Sequence, residues 1–192
     1  MRGTVSGDGF TGLEAAIVLI AFVVVAAVFS YVVLGAGFFT TQKAQEVVHT
    51  GVQQASSTLE IVGNVYGTAP QAGDPINTIN FTVALAPGGT AIDFDKVVLT
   101  YSNATQLETL TNKGNQTSGS VGAGEWGIVR IDNTVTDDNT LEKGEQFQIM
   151  AKPTAGILKN DQFTIEVKPA VGAAFSLTRT IPASIQQVNV LY

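Results

Sequence analysis

From Ala15 to Gln42 the chain carries no charged residue in 28 consecutive positions. All ten basic and all sixteen acidic residues lie outside that window. Its apolar part, Ala15–Phe39, is 25 residues long. As a helix rising 1.5 Å per residue it spans about 37 Å, and a bilayer hydrocarbon core is about 30 Å thick. The run exceeds the roughly 7–15-residue apolar stretch of a signal peptide, and no A-x-A cleavage pattern follows it. A helix apolar on all sides must be buried on all sides, in lipid or inside other protein. One copy cannot bury itself, so this is not the sequence of an ordinary soluble globular protein.

The helical pattern continues past Lys43 and becomes amphipathic. Val47, Val48, Val52, Ala55, Leu59 and Val62 recur at spacings of three and four, with Gln45, Glu46, His49, Gln53 and Gln54 between them. Gly63-Asn64 is a stop signal. The expected helix is therefore 10–62, 53 residues and about 80 Å long. Gly35, Gly37 and Gly51 would either bend it or admit a close neighbour. A linker, 63–75, ends in the loop-like Thr68–Pro75. Residues 76–192 form the outer domain, with expected strands at 78–85, 96–102, 127–131, 146–151, 162–167, 175–181 and 187–191. Seven short strands separated by Gly, Pro and Asn turns suggest a β-sandwich. The fold class is α+β: a long N-terminal hydrophobic helix followed by an immunoglobulin-like antiparallel β-sandwich.

The formal net charge is −6. No Lys/Arg cluster could track phosphates, which argues against a nucleic-acid partner. The absence of cysteine removes disulfides, thiolate zinc sites and Cys nucleophiles. The single histidine, His49, reads as a solvated or packed side chain. Without a second histidine, common zinc sites and a Ser-His-Asp triad are disfavoured. No cofactor is implied. Asp132, Asp137 and Asp138, and separately Asp93 and Asp95, could offer oxygens to a structural Ca²⁺, although no spacing matches an EF-hand; a solvated acidic turn is the preferred reading. Gly119–Gly124 lacks a following Lys-Ser/Thr and reads as a loop. Three N-x-S/T sequons begin at Asn80, Asn103 and Asn115. Asn115, in a polar Gly/Ser/Thr stretch, is the foremost of them.

Glu14 opens the apolar run. Thr11-Gly12-Leu13-Glu14 fits a capping box with Glu14 at the third helical position. A cut after Gly9 would place a new amine on Phe10, four residues from that carboxylate. A charge there needs a partner once it is in an apolar setting. The string from Gly9 through Phe10-Thr11-Gly12-Leu13-Glu14 to Tyr31 resembles the start of an archaellin, the archaeal flagellin, within the type IV pilin-like superfamily. Residues 162–169 and 177–182 resemble the archaellin C-terminal domain.

The resemblance implies a leader, 1–9, cut between Gly9 and Phe10 by a prepilin-type peptidase. Phe10 then becomes the first residue and Glu14 the fifth, and the two serve assembly and register. It also implies a non-enzymatic structural subunit of the archaeal motility filament. That subunit waits in the membrane, is driven by an assembly motor, polymerises with identical or paralogous copies, and ends outside the cell. Two alternatives stay open: an adhesive archaeal type IV pilin, and a membrane-anchored extracellular binding module.

Overall fold

The computed structural model describes residues 8–56, 58–116, 120–134 and 138–192, with the helical side chains of 12–52 and 54. The chain divides into two compact units, Met1–Thr50 and Gly51–Tyr192.

The first unit is dominated by helix α1, Asp8–Ser56, 49 residues and about 73 Å long. It contains no proline, and its Ala, Leu, Ile, Val and Phe residues are compatible with a helix. It runs through Gly35, Gly37 and Gly51 without a break. It ends six residues before the expected Val62. Leu59–Val62 instead begin strand β1, Leu59–Thr68. Their apolar spacing also suits a helix, but pairing with a neighbouring strand, from Leu59↔Leu85 to Val62↔Thr82, decides the outcome. Gly63, at φ +79°, lies where that register shifts between Val62 and Tyr66. The expected helix stop is thus a β-bulge that uses glycine's left-handed freedom. The expected 63–75 linker accordingly contains the second half of β1.

The strands that follow are β2 Thr78–Leu85, β3 Ile92–Asp93, β4 Val98–Asn103, β5 Leu107–Asn115, β6 Glu125–Asp132, β7 Thr140–Leu141, β8 Gln146–Lys152, β9 Gln162–Lys168, β10 Phe175–Thr180 and β11 Val188–Leu191. Nine are hydrogen-bonded in the order β10-β9-β4-β5-β6-β8-β2-β1-β11, and β3 pairs with β7. All pairings are antiparallel except β5–β6.

Strand β5 explains how one hydrogen-bonded array makes two layers. Its first half, Leu107–Leu110, pairs with β4, whereas Thr111, Asn112 and Asn115 pair with β6 across a register shift. A strand that changes partners at a bulge turns a sheet corner. At the far edge, the Thr180 amide donates to the Tyr192 carbonyl at 2.8 Å, joining the end of β10 to the residue after β11.

The two layers share one core. Alternation is clear in β8 and β9, where Phe147, Ile149 and Ala151 and Phe163, Ile165 and Val167 are buried. Phe94, carried by a single 3₁₀ turn at Phe94–Lys96, packs edge-on against Trp126 and Phe147, with ring centroids 6.4 and 5.2 Å apart. Tyr101 stacks on Phe163 at 6.1 Å, and burial pushes its phenol up to about 12. The buried amide of Asn189 donates to the carbonyls of Gly67 and Gln186 and accepts from the Gln186 amide, so its desolvation is compensated. Gly67 allows this seam to close: a Cβ there would meet Ile76 Cδ1 at 2.7 Å.

Candidate polymerisation helix and outer domain

Every described side chain of α1 from Gly12 to Val52 is exposed. Phe22, Val23, Val24 and Val25 are 73, 61, 55 and 66 % exposed, and four consecutive residues of a helix point to all sides of its axis. These 41 residues form a helix apolar enough to cross a membrane, about 61 Å long and roughly twice a hydrocarbon core. At about 25 cal/mol per Å² of apolar surface, leaving such a helix in water is costly. The side chains have no partners within the helix itself that could relieve this exposure, so the relief must come from outside the helix.

Some of the polar groups of the helix are satisfied within it. The hydroxyls of Thr40, Thr41 and Thr50 donate to the carbonyls of Ala36, Gly37 and Glu46 at 2.8, 2.9 and 2.8 Å. Such back-bonding lets a hydroxyl leave water without losing its hydrogen bond. Lys43 Nζ meets Glu46 Oε2 at 2.6 Å. Glu14 has no ion-pair partner among the described residues, and His49 is an exposed residue one turn beyond Glu46.

The expected capping box is not a terminus. Asp8–Leu13 are already helical, so Glu14 lies inside α1 rather than at its third position. Gly9 and Phe10 lie in this first part of α1; their side chains, and residues 1–7, are outside the described part.

On the outer domain the three sequons occupy different settings. Asn80 is half-buried in mid-strand on β2, flanked by Tyr66 of β1 and Met150 of β8. Asn103 ends β4 at a turn whose Ala104 and Thr105 are exposed. Its Oδ1 accepts from the Thr105 amide and hydroxyl and from the Gln106 amide, at 3.0, 3.1 and 2.7 Å. Asn115 closes β5 opposite Ile128, and the Thr117 of its sequon lies outside the described residues. The polar composition around Asn115 put it foremost in the sequence, but composition does not show the strand pairing that sets each setting.

The acidic candidates are engaged elsewhere. Asp132 Oδ1 accepts from both Nε and Nη2 of Arg130 at 2.8 Å. Asp138 Oδ1 accepts from the Thr140 amide at 2.7 Å, and Asp137 lies outside the described residues. Asp93 pairs with Lys96 at 2.8 Å, and that cation holds its carboxyl below the ordinary range. Asp95 Oδ1 accepts from the Asn139 amide at 2.7 Å. Among the described residues no three His, Cys, Asp or Glu side chains come together as metal ligands. A network that the sequence did not suggest holds the chain after β5: Glu125 accepts from the Gly122 amide at 2.9 Å and pairs with Lys113 at 3.0 Å.

A β-domain with its own core, on the same chain as a helix apolar on every side, defines a class: a subunit whose helix is buried by lipid or by copies of itself. Within that class the family is specific. The family model for archaeal-type flagellin matches residues 9–179, and the chain belongs to that family. It is 44 % identical over 201 residues to "Probable flagellin 1" of Archaeoglobus fulgidus, covering 100 % of this chain and 98 % of that one. Among solved structures, it is similar to the subunit in "The archaeal flagellum of Methanospirillum hungatei strain JF1". There the TM-score is 0.73 at 36 % identity, over 94 % of this chain and 99 % of that one. The flagellin FlaB1 of Methanocaldococcus jannaschii shares the fold at 17 % identity, with a TM-score of 0.57 and coverage of 69 % and 95 %.

Proposed function

We propose that this chain is a structural subunit of the archaeal motility filament, polymerising through α1 with copies of itself and presenting the β-domain at the filament surface. The observation that carries the reading is the uninterrupted exposed apolar surface of Gly12–Val52, on a chain whose other unit already has a closed core. The likeness to the Methanospirillum filament subunit over nearly the whole chain supports it. Before assembly the helix resides in the membrane. The finished subunit lies outside the cell, and it performs no reaction.

Finer steps belong to the same proposal. A prepilin-type peptidase cuts between Gly9 and Phe10, a reading that rests on the resemblance of the sequence from Gly9 onward to the start of an archaellin. The new amine of Phe10, on the same or a neighbouring chain, pairs with Glu14 and fixes register. That pairing meets the physical need of a carboxylate without an ion-pair partner among the described residues of an apolar helix. A membrane-bound motor supplies the work of extraction. All three sequon asparagines are half-buried; Asn103 best supports N-glycan attachment because the Ala104 and Thr105 that follow it in the turn are exposed.

The test is Glu14→Gln in cells that depend on this subunit. Filaments should be lost while the β-domain keeps its thermal midpoint. Normal filaments from the variant would remove Glu14 from assembly.

A further inference from the structure

The acidic and basic side chains described on α1 are Glu14, Lys43, Glu46 and His49. Glu14 is addressed above, and Lys43 and Glu46 are the first charges after the 28-residue uncharged window. They lie one turn apart with their charged atoms at 2.6 Å, on side chains 58 and 64 % exposed. Along α1 their nearest neighbours are the apolar Phe39 and Val47, the back-bonded Thr50, and the uncharged polar Gln42 and His49.

We propose that Lys43 and Glu46 form a self-neutralised unit that lets this part of α1 enter a bundle of identical helices without a charged partner on any neighbour. The inference rests on the filament reading above. A lone charge moved from water into an apolar bundle loses its hydration and gains nothing in return. Two opposite charges already joined within one helix move together as a neutral group, and the bond that compensates them travels with the chain. The occupant that covers them is a second copy of this chain. That copy need offer only apolar or neutral surface, because the charges complement each other within each subunit. Lys43 and Glu46 are therefore positioning residues for assembly. Reversing the two charges should leave the unit intact, whereas a pairing between subunits would fix each sign against a neighbour's group.

The experiment compares filament yield for the full chain and four variants: Lys43→Gln, Glu46→Gln, the double neutral variant Lys43→Gln/Glu46→Gln, and the charge swap Lys43→Glu/Glu46→Lys. Membrane-inserted subunit and protease-resistant β-domain are quantified alongside. Each single variant strands one charge and should lower filament yield by about tenfold or more, since breaking a buried pair is far more disruptive than replacing both members. Both double variants should recover to within about threefold of the parent chain, as expected when the pair is replaced as a unit. If the doubles are as poor as the singles, the charges engage neighbours and the proposal is overturned. If the singles assemble normally, the pair has no role and the proposal is also overturned. If the unaltered chain makes no filaments, the filament reading falls and takes this proposal with it.

Discussion

Helix α1 and the β-domain solve opposite problems with the same residue types. In the β-domain, Ile149, Val167, Phe147 and Trp126 are removed from water by their own chain. In α1, Ile20, Val28, Phe22 and Phe29 are at least half exposed. The contrast lies in geometry rather than composition. A strand alternates its faces, so half its side chains can meet another layer of the same sheet. A helix apolar around its whole circumference has no wet face to turn outward and cannot be covered by one small domain. One unit therefore reaches a stable state alone, and the other needs lipid or copies.

The largest expected effect that separates the two units is Trp126→Ala. Trp126 is fully buried against Phe94. Its truncation should cost about 3–5 kcal/mol, near 10 °C in the β-domain's thermal midpoint, while leaving membrane insertion unchanged. Loss of insertion in that variant would mean that the units are not separable.

The converse variant is Val28→Lys, at the middle of the apolar run. On insertion scales a lysine there costs about 2.5–3.5 kcal/mol. Membrane-inserted subunit should fall sharply, whereas the β-domain's midpoint, measured in detergent, should stay within about 1 °C because the substitution lies outside that domain's own core.

The smallest effect is a pH dependence confined to the β-domain. Lys113 and the Gly122 amide hold the Glu125 carboxyl below its ordinary value of 4.5 in the folded state. A lowered folded value contributes stability that is present above the ordinary glutamate range and is lost as pH falls through the lowered value. The midpoint should therefore decline below about pH 4.5 in part through this group. Glu125→Gln should flatten that decline and leave the midpoint at neutral pH slightly lower. An unchanged acid profile would remove the pair from the balance.

How much was legible in the sequence follows the same division. The apolar helix could be read because nothing but its own composition determines its burial. Strands such as Thr78–Leu85 could be read because their alternation is local. Strand β1 was hidden: Leu59, Ile61 and Val62 suit a helix face, and only pairing with β2 makes them a strand. Strand β5 was hidden for another reason. Its sequence, LETLTNKGN, has one buried apolar residue, Leu110, and its role as the corner between layers lies in its change of partners. The sequons and acidic residues could be found by pattern, but their settings could not. Asn80 lies in mid-sheet through strand register, and Asp132 meets Arg130 because strand β6 puts residues two apart on one face.

The most direct measurement uses the absence of native cysteine. Val24→Cys is introduced into α1, and its thiol is challenged with a water-soluble maleimide in sheared filaments and in filaments dissociated by denaturant. The expected result is a thiol unreactive in the filament and fully reactive after dissociation. Equal labelling in both states would contradict a helix buried by its copies.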